Sequence, residues 1–75
     1  MRSYNLFCLK SHGGLCCAVP ESCAVPAFVE GARWTYHGKL EDAGSAPMGF
    51  DGLAAETGVR FNGFYLFETM DRRFM

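Results

Sequence analysis

Apolar residues along this chain gather in short runs separated by glycines, prolines and charges, and the spacing inside each run decides which element it can form. Tyr4-Asn5-Leu6-Phe7-Cys8-Leu9 and Leu15-Cys16-Cys17-Ala18-Val19 flank Lys10-Ser11-His12-Gly13-Gly14, a pattern that predicts a β-hairpin. A turn centred on His12-Gly13 sets Cys8 opposite Cys17, Leu6 opposite Val19 and Phe7 opposite Ala18. Pro20 lacks the N–H of a central ladder and ends the second strand. Cys-Ala-Val-Pro at 17–20 returns at 23–26, too few copies to build a repeat fold. Pro26 opens a short helix over 26–30 that Gly31 stops, with Ser22 as an earlier alternative cap.

Residues 32–40 alternate, with Trp34, Tyr36, Gly38 and Leu40 on one side and Arg33, Thr35, His37 and Lys39 on the other. Trp34 is therefore expected inside, and His37 and Lys39 outside. Residues 41–47 carry loop chemistry. Beyond them Phe50, Leu53, Ala54, Thr57, Gly58 and Phe61 recur at helical spacing, between a capping Asp51 and a helix-ending Asn62-Gly63. Asn62-Gly63 is also a type I′ hairpin signal, and Gly58 inside a helix costs ~1 kcal/mol relative to alanine. Three turns of apolar spacing favour the helix, followed by a strand over 64–68. The order β-β-α-β-α-β predicts an α+β fold: a small two-layer sandwich, its four-stranded, mostly antiparallel sheet carrying two helices on one face.

Two of these strands are apolar on both sides. In Phe64-Tyr65-Leu66-Phe67, Phe64 and Leu66 face one way and Tyr65 and Phe67 the other, and the first strand behaves alike. A two-layer domain has one core, so the second face of the sheet needs a cover. A homodimer or a larger partner supplies one; the loop 41–48 with the C-terminal residues is the internal alternative.

Composition narrows the classes. Seventy-five residues suit one domain, residues 1–75, with 69–75 as a loosely held tail, and 49% apolar content excludes a disordered chain. A net charge of -1 gives no overall field toward nucleic acid or anionic lipid. No apolar run reaches the ~20 residues of a membrane span, and nothing reads as an export signal, so a cytoplasmic protein with no membrane association is expected. Cys8, Cys16, Cys17 and Cys23 are then expected as thiols.

The candidate chemistry is thin. Zinc sites bring ligands in spaced pairs on turns, whereas Cys16 and Cys17 are adjacent and face opposite ways, so no metal and no cofactor is expected. A cysteine nucleophile would need His12 beside Cys8 or Cys16, with no acid placed to orient the ring. Glycines at 13, 14, 49, 52 and 63 match no phosphate-binding loop, and Asp51 with Glu56 makes no paired-carboxylate site. No catalytic residues are assigned and no enzyme is expected.

The expected function is binding through a protein–protein surface, with Tyr65, Phe67, Phe7, Glu41 and Asp42 as candidate contacts. Its most concrete form is an inhibitor of a larger host protein or nucleoprotein complex, of the anti-CRISPR kind encoded by phages and mobile elements. Glu41, Asp42, Asp51, Glu56, Glu68 and Asp71 would then block a nucleic-acid site. One alternative is a nucleic-acid-binding module using Arg33, His37, Lys39 and Arg60, with Arg72 and Arg73. Another is a thiol or zinc protein using the four cysteines.

Overall fold

The computed structural model of the protein describes residues 3–11, 14–29, 31–41 and 46–70. Its elements are β1 (Tyr4–Leu9), β2 (Leu15–Pro20), a 3-10 turn (Ala27–Val29), β3 (Trp34–Leu40), α1 (Gly52–Asn62) and β4 (Tyr65–Glu68). The four strands form one antiparallel sheet in the order β3-β1-β2-β4, which puts β3 and β4 at the edges. The α+β class and the four-stranded antiparallel sheet agree with the sequence. The second helix does not: residues 27–29 make a 3-10 turn, with a bond from Val29 N–H to the Pro26 carbonyl.

The hairpin register differs from expectation by one residue. Cys8 lies opposite Cys16, Phe7 opposite Cys17 and Leu6 opposite Ala18. Five residues, 10–14, separate the strands, and this odd number moves the axis of the hairpin off the centre of His12-Gly13. β3 departs too. Its pairing with β1 passes from Leu6↔Gly38 to Phe7↔Tyr36, so His37 is an extra residue in a β-bulge. The bulge breaks the alternation: Gly38 and Leu40 share the face of Leu6 and Tyr4, whereas Trp34, Tyr36 and Lys39 share the face of Leu9, Phe7 and Asn5. Trp34 is half-buried rather than enclosed, while His37 and Lys39 are exposed as expected.

Each face of the sheet has its own apolar cluster. On one, Tyr4, Leu6, Cys8, Cys16, Ala18, Leu40 and Phe67 pack with Ala55 of α1, joined by Ala46, Phe50, Val59 and Tyr65. Phe50 is the hub, its ring edge-on to Tyr4, Tyr65 and Phe67 at 5.6, 5.5 and 5.3 Å. On the other face Cys17, Val19 and Val29 are buried, with Phe7, Cys23, Val25, Trp34 and Phe64 against them. The second face is thus covered from within, chiefly by the segment between Pro20 and Val29. The expected cover was a homodimer or a larger partner, with the 41–48 loop and the C-terminal residues as the internal alternative, and neither matches this arrangement. Ala46 instead packs on the α1 side, Pro47 is buried, and Thr69, 2% exposed, is tied by its N–H to the Gly14 carbonyl at 2.7 Å. Thr69 is therefore no part of a loose tail, and residues 71–75 lie outside the described residues.

α1 is built as its sequence demands. Asp51 Oδ1 accepts from the N–H groups of Leu53 and Ala54 at 2.9 and 3.2 Å, a cap worth about 1 kcal/mol. Gly63 closes the helix in the left-handed region, φ 84°, donating to the Val59 carbonyl. Gly58, which weighed against a helix, has a packing reason: a Cβ there would stand 3.0 Å from the Phe64 carbonyl oxygen and 3.4 Å from Tyr65 Cδ1. Glycine lets the helix approach the strand that follows it.

Gly49 carries a stricter demand. It holds φ 102°, and a Cβ would collide with the Glu68 carbonyl oxygen. Gly49→Ala is expected to destabilise the protein by about 2–4 kcal/mol, combining backbone strain and overlap. Gly52→Ala, where a Cβ meets open space, should stabilise by about 0.5 kcal/mol. Urea unfolding of both variants checks the contrast.

Candidate functional site

The helical spacing of Phe50, Leu53, Ala54, Thr57, Gly58 and Phe61 predicted the helix, and the arc that α1 turns inward is a different one. Ala55 is fully enclosed and Val59 half-buried, whereas Leu53 and Phe61 are 79% and 76% exposed. The reason is space. Phe50 fills the volume above the sheet, and the small residues Ala55 and Gly58 let the helix sit close, which leaves the larger side chains on the outer arc.

That outer arc meets β4 at a groove of about 470 Å³, lined by Ala54, Thr57, Gly58, Asn62, Phe64, Tyr65 and Leu66. Ala54, Thr57 and Gly58 line it at i, i+3 and i+4 of one helical face, and exposed Phe61 continues that spacing at i+7. Leu66, 45% exposed, forms part of the strand side. Thr57 Oγ1 donates to the Leu53 carbonyl at 3.1 Å, satisfying its hydroxyl inside the helix. The lining holds no carboxylate, amine, imidazole or thiol. Such a surface can exclude water from an apolar group, and β4, as an edge strand, can offer backbone hydrogen bonds beside it.

The expected contact residues are scattered. Tyr65 is half-buried and lines the groove. Phe67 is 6% exposed, stacked on Tyr65 at 5.4 Å within the core, so it presents no surface to a partner. Phe7 is half-buried on the opposite face of the sheet, 5.4 Å from the ring of Tyr36. Glu41 is exposed after β3, at the edge far from β4, and Asp42 lies outside the described residues.

The basic candidates do not converge. Arg33 is exposed just before β3, His37 and Lys39 are exposed along it, and Arg60 is exposed on α1, which packs beside the opposite edge. The bulge also removes Lys39 from the side it was expected to share with Thr35, which pairs with Cys8. Lys39 Nζ meets Glu21 Oε2 at 2.9 Å. That hydrogen bond and the charge of Lys39 lower the Glu21 pKa, and Glu21 raises that of Lys39 in the same way. Both side chains are solvated, so the pair adds little to stability.

Among the described residues no group of three or more His, Cys, Asp or Glu is placed to hold a metal ion, and His12 lies outside them. Cys8 and Cys16 are buried on the α1 face, Cys17 is buried on the other, and Cys23 is half-buried against the second cluster. No helix among the described residues is long and apolar enough to cross a membrane.

The sequence placed Ala54, Thr57, Gly58 and Phe61 on one apolar stripe of the helix and pointed to no groove there. The signal was present: Leu53, Ala54, Phe61, Ala55 and Val59 together occupy more of the helix than one packing face uses. The division predicts a sharp contrast in stability. Phe67→Ala should cost about 3–5 kcal/mol, while Leu53→Ser and Phe61→Ser should each stay within about 0.5 kcal/mol of the wild type in urea unfolding.

Comparison with protein-family models, with curated proteins and with solved structures finds no match to this chain.

Proposed function

We propose that the chain is a non-enzymatic binding protein whose groove between α1 and β4 receives an extended, apolar, uncharged segment of another protein, laid beside the β4 edge. The observation that carries this reading is a groove whose lining has no charged side chain and includes Leu66, 45% exposed, beside a helix on which Leu53 and Phe61 are 79% and 76% exposed. Soluble domains seldom leave such clusters bare unless they bind something. An edge strand supplies main-chain affinity and the adjoining pocket supplies side-chain selection, as in strand-addition recognition. The proposal places the protein in the cytoplasm, which suits four free thiols.

The narrower form, an inhibitor of a larger host complex acting by charge mimicry, draws no support from the acidic groups. Glu41 and Glu68 belong to opposite edges of the sheet, Asp51 caps α1 and Glu56 lies on it, while Asp71 is outside the described residues. An inhibitor would have to act through the apolar groove. One observation favours nucleic acid as the competing class: the bulge brings exposed Lys39 to the face of Tyr36, itself 53% exposed.

Selection from a displayed library of random peptides separates these outcomes. Selected peptides are expected to alternate apolar residues, to lose at least tenfold in affinity against Leu53→Lys/Phe61→Lys, and to protect the amides of residues 65–68 from hydrogen exchange. Selection of the same peptides by the double variant would contradict the groove. Failure to select peptides, together with single-stranded nucleic-acid binding that falls steeply with salt, would transfer the function to the Tyr36 face.

A further inference from the structure

We propose that Cys8 and Cys16 are a redox pair that closes to a cross-strand disulfide when the folded chain meets a small-molecule disulfide, leaving Cys17 and Cys23 as thiols. The inference rests on the hairpin register and is independent of the groove. Cys8 and Cys16 are direct partners across β1 and β2, share the face covered by α1, and are 3% and 0% exposed. The two thiols interact directly, each being the first cause of the other's pKa shift. Directly opposed residues of an antiparallel pair hold their Cβ atoms roughly 4.5–5.5 Å apart, and a disulfide needs roughly 3.5–4.5 Å, so closure asks for a movement of about 1 Å. Neither of the other cysteines has this placement. Cys17 follows Cys16 but points to the opposite face, opposite Phe7, and Cys23 lies with the cluster on that face.

The environment divides the roles within the pair. The hydrogen bond from Cys16 lowers the Cys8 pKa, whereas the same contact, burial and the charge of Cys8 raise that of Cys16. Cys17 is pushed up to about 12, first by burial and then by Cys16. These directions favour Cys8 as the attacking thiolate. Because it is buried one residue from the end of β1, attack requires local opening of the hairpin. Its sulfur displaces one thiolate from the dissolved disulfide RSSR, forming Cys8–S–S–R. The Cys16 sulfur then attacks the Cys8 sulfur, its proton passing to a departing thiolate, and the second RS group leaves. The proton released by Cys8 ends on the other. Two electrons move from the protein to RSSR, which becomes two RSH, so the reaction balances without another oxidant. A bond stretched between opposed strands is readily reduced, which makes the pair reversible.

The test uses oxidised glutathione on the folded wild-type chain, with acid quenching, unfolding, alkylation by iodoacetamide and peptide mapping. Trypsin cleavage after Lys10 separates Cys8 from the peptide that carries Cys16, Cys17 and Cys23, and fragmentation of the linked pair assigns the bond. Expected are alkylation at Cys17 and Cys23 alone, a Cys8–Cys16 link, and return of all four thiols with excess reduced glutathione. Cys16→Ser should trap glutathione on Cys8. Alkylation of all four cysteines after exposure, or a link that includes Cys17 or Cys23, would overturn the proposal. Should Cys16→Ser fail to fold, the wild-type map decides alone.

Discussion

β2 must be buried on both of its faces, and the rest of the structure follows from meeting that requirement in a chain of 75 residues. Cys16 through Pro20 are all buried, so neither side of the strand reaches water. A single layer of helix cannot satisfy such a strand. α1 with Phe50 covers the side of Cys16 and Ala18, and the segment ending at Val29 covers Cys17 and Val19. β1 shares both covers beside it, and the edge positions fall to β3 and β4.

The cover on the α1 side has a consequence for the surface. A helix that approaches the sheet through Ala55 and Gly58 makes a shallow contact, and its large residues remain outside. The apolar content of α1 therefore serves two faces, one against the sheet and one toward solvent beside β4. The same packing that settles the core produces the groove, whose floor is open because Gly58 contributes no side chain. Phe64 belongs to both regions, since its ring meets Phe28 at 5.1 Å in the second cluster and also lines the groove.

Local signals were legible in the sequence and long-range ones were not. Asp51, Asn62-Gly63 and Pro20 mark ends of elements through backbone chemistry that acts within a few residues, and each marks the end observed. The two-sided apolar character of β1 and β4 was also visible, and it correctly implied two covers. Which segment supplies the second cover depends on the path of residues 21–29, where no periodic signal operates. The hairpin register turned on one residue in the connection, and the bulge at His37 on tertiary pairing with β1, so the facing of Cys16 and of Lys39 was out of reach. Tyr65, a candidate contact from its strand, lines the groove, but apolar spacing alone does not say which arc of α1 packs and which lines the groove with it.

The central claim is that both faces of β2 are sealed from within, while Leu53 on α1 and Leu66 on β4 stand exposed. Attenuation of side-chain methyl signals by a soluble paramagnetic agent, read by NMR on the wild-type chain, tests this in one measurement. The methyls of Leu6, Leu40, Val19 and Val29 should stay nearly unaffected, while those of Leu53 and Leu66 are strongly attenuated. Attenuation of Val19 and Val29 comparable to Leu53 would show the second face to be open and contradict the account.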